Sequence, residues 1–128
     1  MIIYDNKNVK LDYDASKKLL VQTWTGFASS SVFREAIDKS VELSATNPVH
    51  FIISDTQKQE VVKPEDANYA ASVMPKLLGN GLKAMAFVVP SSVFTKISLQ
   101  KFSETSGDQA TQYFDDLVKA KKWIDEKN

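Results

Sequence analysis

Hydrophobic and polar residues alternate near the start of the chain, and this pattern predicts antiparallel β-strands. Every second residue of Val9–Asp14 (VKLDYD) is apolar, which is the period of a strand with one buried face. Turn-forming residues follow, and Leu19–Trp24 (LLVQTW) predicts a second strand that ends at Gly26. Ile2–Tyr4 is a candidate for a short edge strand. The chain is therefore expected to begin with antiparallel pairing.

Beyond Gly26 the periodicity predicts alternating helices and strands. A helix is expected after Ser29-Ser30-Ser31, with apolar positions at helical spacing until Asn47-Pro48 ends it. Because proline removes a backbone donor, Pro75 is expected to kink the second helix. The elements predicted in this region are a strand at 49–53, a helix from Pro64 to the cap Gly79-Asn80-Gly81, a strand at 84–89, a helix after Ser91-Ser92 that carries Val93, Ile97 and Phe102, a strand at 110–114 and a helix after Asp115-Asp116.

The predicted order ββαβαβαβα indicates an α/β protein with a mixed sheet. Crossover helices require parallel pairing between the later strands, whereas the first strands form an antiparallel hairpin. A chain of 128 residues is long enough for one packed core, and no linker, repeat or low-complexity segment divides it. We therefore expect a single domain over residues 1–128.

Composition excludes several classes of function. Sixteen basic residues balance sixteen acidic ones, so the basic excess of a general nucleic-acid binder is missing. Without cysteine, the chain has no thiol nucleophile and no thiolate metal site. The sequence contains neither a signal-peptide pattern nor an apolar run long enough for a membrane span, which makes a soluble cytoplasmic protein the default expectation.

The residues needed for most kinds of catalysis are also missing. His50 is the only histidine and lies at the start of an apolar strand, away from its carboxyl end. Without cysteine, a second histidine or suitably spaced carboxylates, it has no partners for a metal site. Gly79-Asn80-Gly81 precedes a strand, whereas a phosphate-binding P-loop must follow one. The acids Glu65-Asp66 and Asp115-Asp116 stand at predicted helix starts, where capping explains them. No enzyme, metal or cofactor is predicted.

Geometry points to the carboxyl ends of the parallel strands as the candidate site. Strand ends and the amino ends of the following helices share one rim, where unpaired backbone N–H groups favour ligands. Hydroxyl-rich segments at 27–31, 54–58, 90–92 and 114–116 should meet there. The candidate ligand- or partner-binding residues are Ser29, Ser30, Ser54, Asp55, Thr56, Ser91, Ser92 and Asp115.

Short motifs along the chain resemble the SpoIIAA-like proteins, a branch of the STAS-like fold. This branch is related to anti-sigma-factor antagonists and is loosely grouped with Sec14-type lipid carriers. The resemblance spans roughly residues 8 to 126 and implies a bacterial domain with a mixed sheet covered by helices. The motifs that carry it are Trp24-Thr25-Gly26-Phe27, Phe33-Arg34-Glu35-Ala36, Ser54-Asp55-Thr56-Gln57, Pro64-Glu65-Asp66, Met74-Pro75, Gly81-Leu82-Lys83, the strand 86–90, Tyr113-Phe114-Asp115-Asp116 and Trp123-Ile124.

One motif departs from the antagonists. They carry an Asp-Ser-Ser-Gly signature whose serine is phosphorylated, whereas Ser54-Asp55-Thr56-Gln57 has no Ser-Gly after it. No phosphoacceptor is carried over by the resemblance, and Ser54 and Thr56 are only positional candidates.

Three functions remain open from the sequence. The first is a non-enzymatic regulatory or binding domain that contacts a protein partner or a small ligand at the rim, as a monomer or a homodimer. The second is a carrier of a lipid or other apolar ligand, ranked lower because a domain of this size has little room for a cavity beside its core. The third is an enzyme that uses Asp55.

Overall fold

The computed structural model describes residues 1–93 and 110–128. In this part of the chain, all strands belong to one mixed sheet whose strand order follows the sequence. The strands are β1 (Ile2–Asn6), β2 (Val9–Asp14), β3 (Leu19–Gly26), β4 (Phe51–Gln59), β5 (Ala84–Val88) and β6 (Thr111–Phe114), and the helices are α1 (Ser30–Thr46), α2 (Pro64–Ser72), α3 (Met74–Gly79) and α4 (Leu117–Lys127).

Strand pairing follows the predicted scheme. β1 pairs with β2 and β2 with β3 in antiparallel fashion, whereas β3, β4, β5 and β6 pair in parallel. The predicted α/β class, the mixed sheet and the edge strand at the start of the chain are confirmed. The parallel strands bring their carboxyl ends to one edge of the sheet.

Helices cover the sheet on both faces. On one face, α1, α2 and α3 pack over buried side chains of β2, β3 and β4 such as Leu11, Leu20 and Ile52. On the other face, Ala120 and Ile124 of α4 pack against β4 and β5. Burial of both faces explains why β4 begins as a continuous apolar run rather than an alternating one.

The predicted end of this strand at residue 53 was wrong, because β4 continues to Gln59. Thr23 pairs with Asp55 and Thr25 with Lys58, so β4 contains one extra residue and forms a bulge opposite β3. Beyond the bulge, Gly26 still pairs with Gln59. The long β3 therefore supplies a partner that keeps this polar segment extended.

Pro75 ends a helix instead of kinking it. α2 stops at Ser72 and α3 begins at Met74, with Val73 between them at φ −90° and ψ −9°. Proline has no N–H to donate to the preceding turn, but it fits the first turn of a new helix, where no such bond is needed. The result is two short helices in place of the single predicted one.

The structure describes residues 91–93 of the helix predicted after β5, and these three residues are helical. Its predicted apolar positions Ile97 and Phe102 lie outside the described residues. Within the described residues, no helix is long and apolar enough to cross a membrane.

Candidate functional site

Two of the four predicted rim segments meet at the ends of β4, β5 and β6. The hydroxyl of Thr56 donates to the Val88 carbonyl at 2.8 Å, and the Gln57 side-chain amide donates to the Asp115 carbonyl at 3.0 Å. The polar side chains at this edge of the sheet therefore form hydrogen bonds with backbone carbonyl groups.

The two carboxylates predicted as binding residues at the rim have structural partners of their own. Asp55 Oδ1 accepts the Gln57 backbone N–H at 3.1 Å, which stabilises the bulge. Asp115 Oδ1 lies 3.1 Å from Lys119 Nζ, one helical turn further along the chain. Each carboxylate is therefore engaged in a local contact.

The hydroxyls at the start of α1 belong to a different environment. Ser29 is the N-cap and accepts the Val32 N–H at 3.3 Å, whereas Ser30 donates to Asp66 Oδ2 at 2.7 Å. No hydrogen bond within residues 1–93 and 110–128 joins either serine to Asp55. The predicted cluster is thus divided into separate groups.

Ser91 and Ser92 lie in the exposed helical residues 91–93. They follow the end of β5, as the sequence predicted. Their side chains face solvent.

Ser54 lies inside the protein and not on the rim. It is 4% exposed, and its Oγ accepts the Trp24 indole N–H at 3.2 Å. Thr56 is half-buried and donates to a backbone carbonyl. A kinase could reach the Ser54 hydroxyl only after local opening of the domain. The position of Ser54 in the sequence did not indicate this burial.

Ser54 faces a cavity of about 640 Å³ between the sheet and the helices α1, α2 and α3. Most of its wall is apolar or aromatic, and none of its described lining residues is charged. The described residues that line it are Gln22, Trp24, Phe33, Ile37, Ser40, Ile52, Ser54, Thr56, Gln59, Val62, Ala67, Ala70, Ala71, Val73, Met74, Leu77, Leu78, Met85, Phe87, Thr111 and Tyr113.

The sheet forms the cavity floor, and its middle is polar. Gln22 of β3 pairs with Ser54 of β4, which in turn pairs with Phe87 of β5. Phe87 stacks on Tyr113 with ring centroids 5.4 Å apart, and on the other side Trp24 lies 5.0 Å from Phe33. A glutamine and a serine thus lie between residues of two aromatic pairs on the sheet.

A buried carboxylate fixes α2 to α1 beside this cavity. Asp66 is 2% exposed and accepts hydrogen bonds from Ser30 at 2.7 Å and from Arg34 Nε at 3.1 Å. The Arg34 guanidinium lies 4.9 Å from the centroid of the Tyr69 ring, whose hydroxyl donates to Asp38. This network holds α2, and with it the helical side of the cavity, against α1.

The hydrogen bond from Ser30, together with the bond and charge of Arg34, holds the pKa of Asp66 below its usual value, although burial opposes this shift. A carboxyl group with a lowered pKa in the folded state stabilises the fold above its unfolded pKa, which is about 4. This stabilisation is lost as the pH falls through the lower folded pKa.

Replacing Asp66 with asparagine should therefore make the free energy of unfolding depend less on pH in the acidic range. We expect Asp66→Asn to have a lower free energy of unfolding than the wild type at neutral pH, and we expect this difference to become smaller below about pH 4. Urea unfolding between neutral pH and about pH 4 or lower measures the difference. Glu65→Gln is the matched control, because it removes the same charge from an exposed position in the same turn. Parallel profiles for Asp66→Asn and the wild type would contradict the role of this carboxylate.

Sequence reasoning missed Gln22 and Asp66. The signal for Gln22 was present, since strand alternation places it on the same face as Leu20 and Trp24, which are core residues. Asp66 gave no such signal, because its position at a helix start is equally typical of an exposed acid.

His50 lies at the opposite end of the sheet from the rim, directly before β4. Burial and the nearby charges of Lys83 and Lys18 lower its pKa. No group of three potential metal ligands lies together in the described part of the chain.

The fold and its topology are those of a SpoIIAA-like domain. A search of solved structures matches a protein of the DUF3478 family from Shewanella loihica PV-4, whose structure is described as having a SpoIIAA-like fold. The TM-score is 0.62 at 13% sequence identity, and the match covers 95% of this chain and 98% of that chain. At this identity the likeness shows the fold alone.

No family model matches the sequence, and no curated protein matches it.

Proposed function

We propose that this protein is a non-enzymatic binding domain that holds a small, mainly apolar ligand in the cavity between the sheet and the helices. The observation that carries this proposal is the cavity of about 640 Å³. Sites for small molecules typically measure about 300 to 1,000 Å³, and most have apolar walls with a few placed polar groups. The volume of this cavity supports a function that the sequence ranked second for lack of space.

The walls of the cavity suit a bound ligand better than bulk water. The apolar surface that a ligand would remove from water belongs mainly to the half-buried Met74 and Phe87 and to the exposed Leu78. Burial of apolar area stabilises a complex by roughly 25 cal/mol per Å² before the entropic costs of binding are subtracted. Displacement of water from these walls is the expected source of affinity.

The rim supports a binding role more than a catalytic one. Both of its predicted carboxylates, Asp55 and Asp115, are engaged in local contacts, and the lone histidine lies at the other end of the sheet. A general base needs access to a substrate proton. We therefore favour binding over catalysis by Asp55.

A regulatory protein partner at the rim is the second candidate. Phe27 is 47% exposed and Val61 is 79% exposed, and they follow the neighbouring ends of β3 and β4. Exposed apolar side chains beside a polar rim are typical of protein interaction sites. Such a role would resemble that of the anti-sigma-factor antagonists.

Native mass spectrometry of protein isolated from its native host tests both candidates. We expect a folded species heavier than the polypeptide by the mass of one small molecule, which is released on denaturation. A complex with a second polypeptide and without a small ligand would favour the second candidate, a protein partner that binds at the rim. Only the bare polypeptide mass, in a preparation that keeps its fold, would contradict ligand binding.

A further inference from the structure

Within the apolar cavity, Gln22 presents a hydrogen-bond acceptor. Its amide nitrogen donates to Ser40 Oγ at 3.0 Å, and Ser40 donates its single hydroxyl proton to the Ala36 carbonyl at 2.9 Å. Because Ser40 has no second proton to donate, it can only accept from Gln22. This fixes the amide with its nitrogen toward Ser40 and its Oε1 away from it.

Gln22 Oε1 accepts no hydrogen bond from the described residues, although Gln22 is only 4% exposed. No fully buried side-chain polar atom among those residues lacks a partner, so this oxygen has accessible surface, and Gln22 lines the cavity. An enclosed carbonyl oxygen without a donor is costly unless a ligand or water supplies one.

Ser54 offers the complementary group. Its Oγ accepts the Trp24 indole N–H, and its hydroxyl donates no hydrogen bond to any atom of residues 1–93 and 110–128. Ser54 is the parallel-strand partner of Gln22, so the two side chains lie side by side on the cavity floor. Together they provide one acceptor and one donor.

We infer that Gln22 and Ser54 select an uncharged, largely apolar ligand that carries a hydroxyl group. A hydroxyl can donate to Gln22 Oε1 and accept from the Ser54 hydroxyl at the same time. This inference rests on the proposed ligand binding and adds the chemical class of the ligand. The aromatic pairs beside the polar residues give such a molecule flat surfaces to pack against.

The same geometry rejects two related classes. An anion would bring its charge among walls that have no charged residue in the described part of the chain, and an unpaired buried charge is strongly unfavourable. A pure hydrocarbon would leave Gln22 Oε1 and the Ser54 hydroxyl without partners. Differences in affinity between ligands should therefore depend on the polar group of the ligand rather than on its size.

Three molecules of nearly equal shape test this inference: 2-naphthol, naphthalene and 2-naphthoate. The chain contains two tryptophans, so a ¹H–¹⁵N spectrum shows two indole N–H signals. Trp24 lines the cavity beside Ser54, whereas Trp123 packs against Phe114 on the opposite face of the sheet. Titration at neutral pH should shift the Trp24 signal and leave that of Trp123 in place.

We expect 2-naphthol to bind about fivefold more tightly than naphthalene, the gain typical of a net hydrogen bond. We expect 2-naphthoate to bind on the order of a hundredfold more weakly than 2-naphthol, because its charge is unpaired. Equal affinity for the three probes, or tightest binding of 2-naphthoate, would overturn the inference while leaving cavity binding intact. No shift of Trp24 with any probe would overturn the proposed function itself.

Gln22→Leu is the informative variant, because it preserves size and leaves Ser40 bonded to the Ala36 carbonyl. It should remove the preference for 2-naphthol over naphthalene while retaining affinity for naphthalene. Should Gln22→Leu fail to fold, Ser54→Ala provides the second test, with a smaller loss of preference. An unchanged preference in a folded variant would overturn the role of that side chain.

Discussion

Replacement of Ala70 with tryptophan should prevent ligand binding. Ala70 is half-buried on α2 and lines the cavity, so a large side chain at this position extends into the space that a ligand would occupy. Side-chain overlap with a bound molecule is expected to weaken affinity by more than about tenfold, or over 1.4 kcal/mol. The Trp24 signal in a titration with 2-naphthol measures the loss.

Ala45→Trp is the matched control, since Ala45 is exposed near the end of α1 and is not among the cavity residues. It should bind 2-naphthol like the wild type. Urea unfolding of both variants shows whether the fold is kept. Undiminished binding by a folded Ala70→Trp protein would place the ligand outside the cavity.

The fold could be predicted well because its signals are local and redundant. Alternation in Val9–Asp14, helical spacing in α1 and the apolar run of β5 each specify one element, and the crossover helices then require parallel strands. Errors arose where a tertiary contact overrides a local pattern. The polar residues after Ile53 read as a loop, but the long β3 pairs with them as far as Gln59.

The candidate site could be predicted only in part. The sequence correctly placed Thr56 and Asp115 near the shared edge of the sheet, because parallel strands end together. It did not show that Ser54 faces inward, because Ser54 shares the inward face of Ile52 only when β4 continues past Ile53, where the sequence predicted the strand to end. A cavity is a property of how α2 and α3 sit over the sheet, and no single segment of sequence encodes it.

The division of the predicted helix at Pro75 has a consequence for this cavity. Breaking one helix into α2 and α3 gives two short elements, which contribute small and flexible side chains such as Ala71 and Met74 to the cavity wall. Small side chains leave space for a ligand between the helices and the sheet, and a methionine side chain can adapt to the shape of that ligand. The proline thus belongs to the architecture of the proposed binding site.

The two faces of the sheet have different roles in this proposal. On the face with the cavity, the described side chains leave a space of about 640 Å³, whereas on the other face Ile53, Ala84 and Ala86 pack directly against α4. A buried side chain contributes more to stability where it is closely packed than where it lies beside a void. The face under α4 should therefore stabilise the domain without contributing to ligand affinity.

Replacement of Ile124 with alanine tests this separation. Ile124 is fully buried between α4 and the sheet, and its loss should lower the free energy of unfolding by about 3 kcal/mol, from lost burial and the cavity left behind. Urea unfolding measures the change. In the folded fraction the affinity for 2-naphthol should equal that of the wild type, because no residue of α4 lines the ligand cavity within the described residues.

Val118→Ala is the control within the same helix, since Val118 is 74% exposed and its replacement should change stability by less than about 0.5 kcal/mol. A large loss of affinity in Ile124→Ala, measured at a urea concentration where it remains folded, would show that the two faces are coupled. A loss of stability as small as that of Val118→Ala would show that α4 does not hold the sheet as its buried contacts indicate.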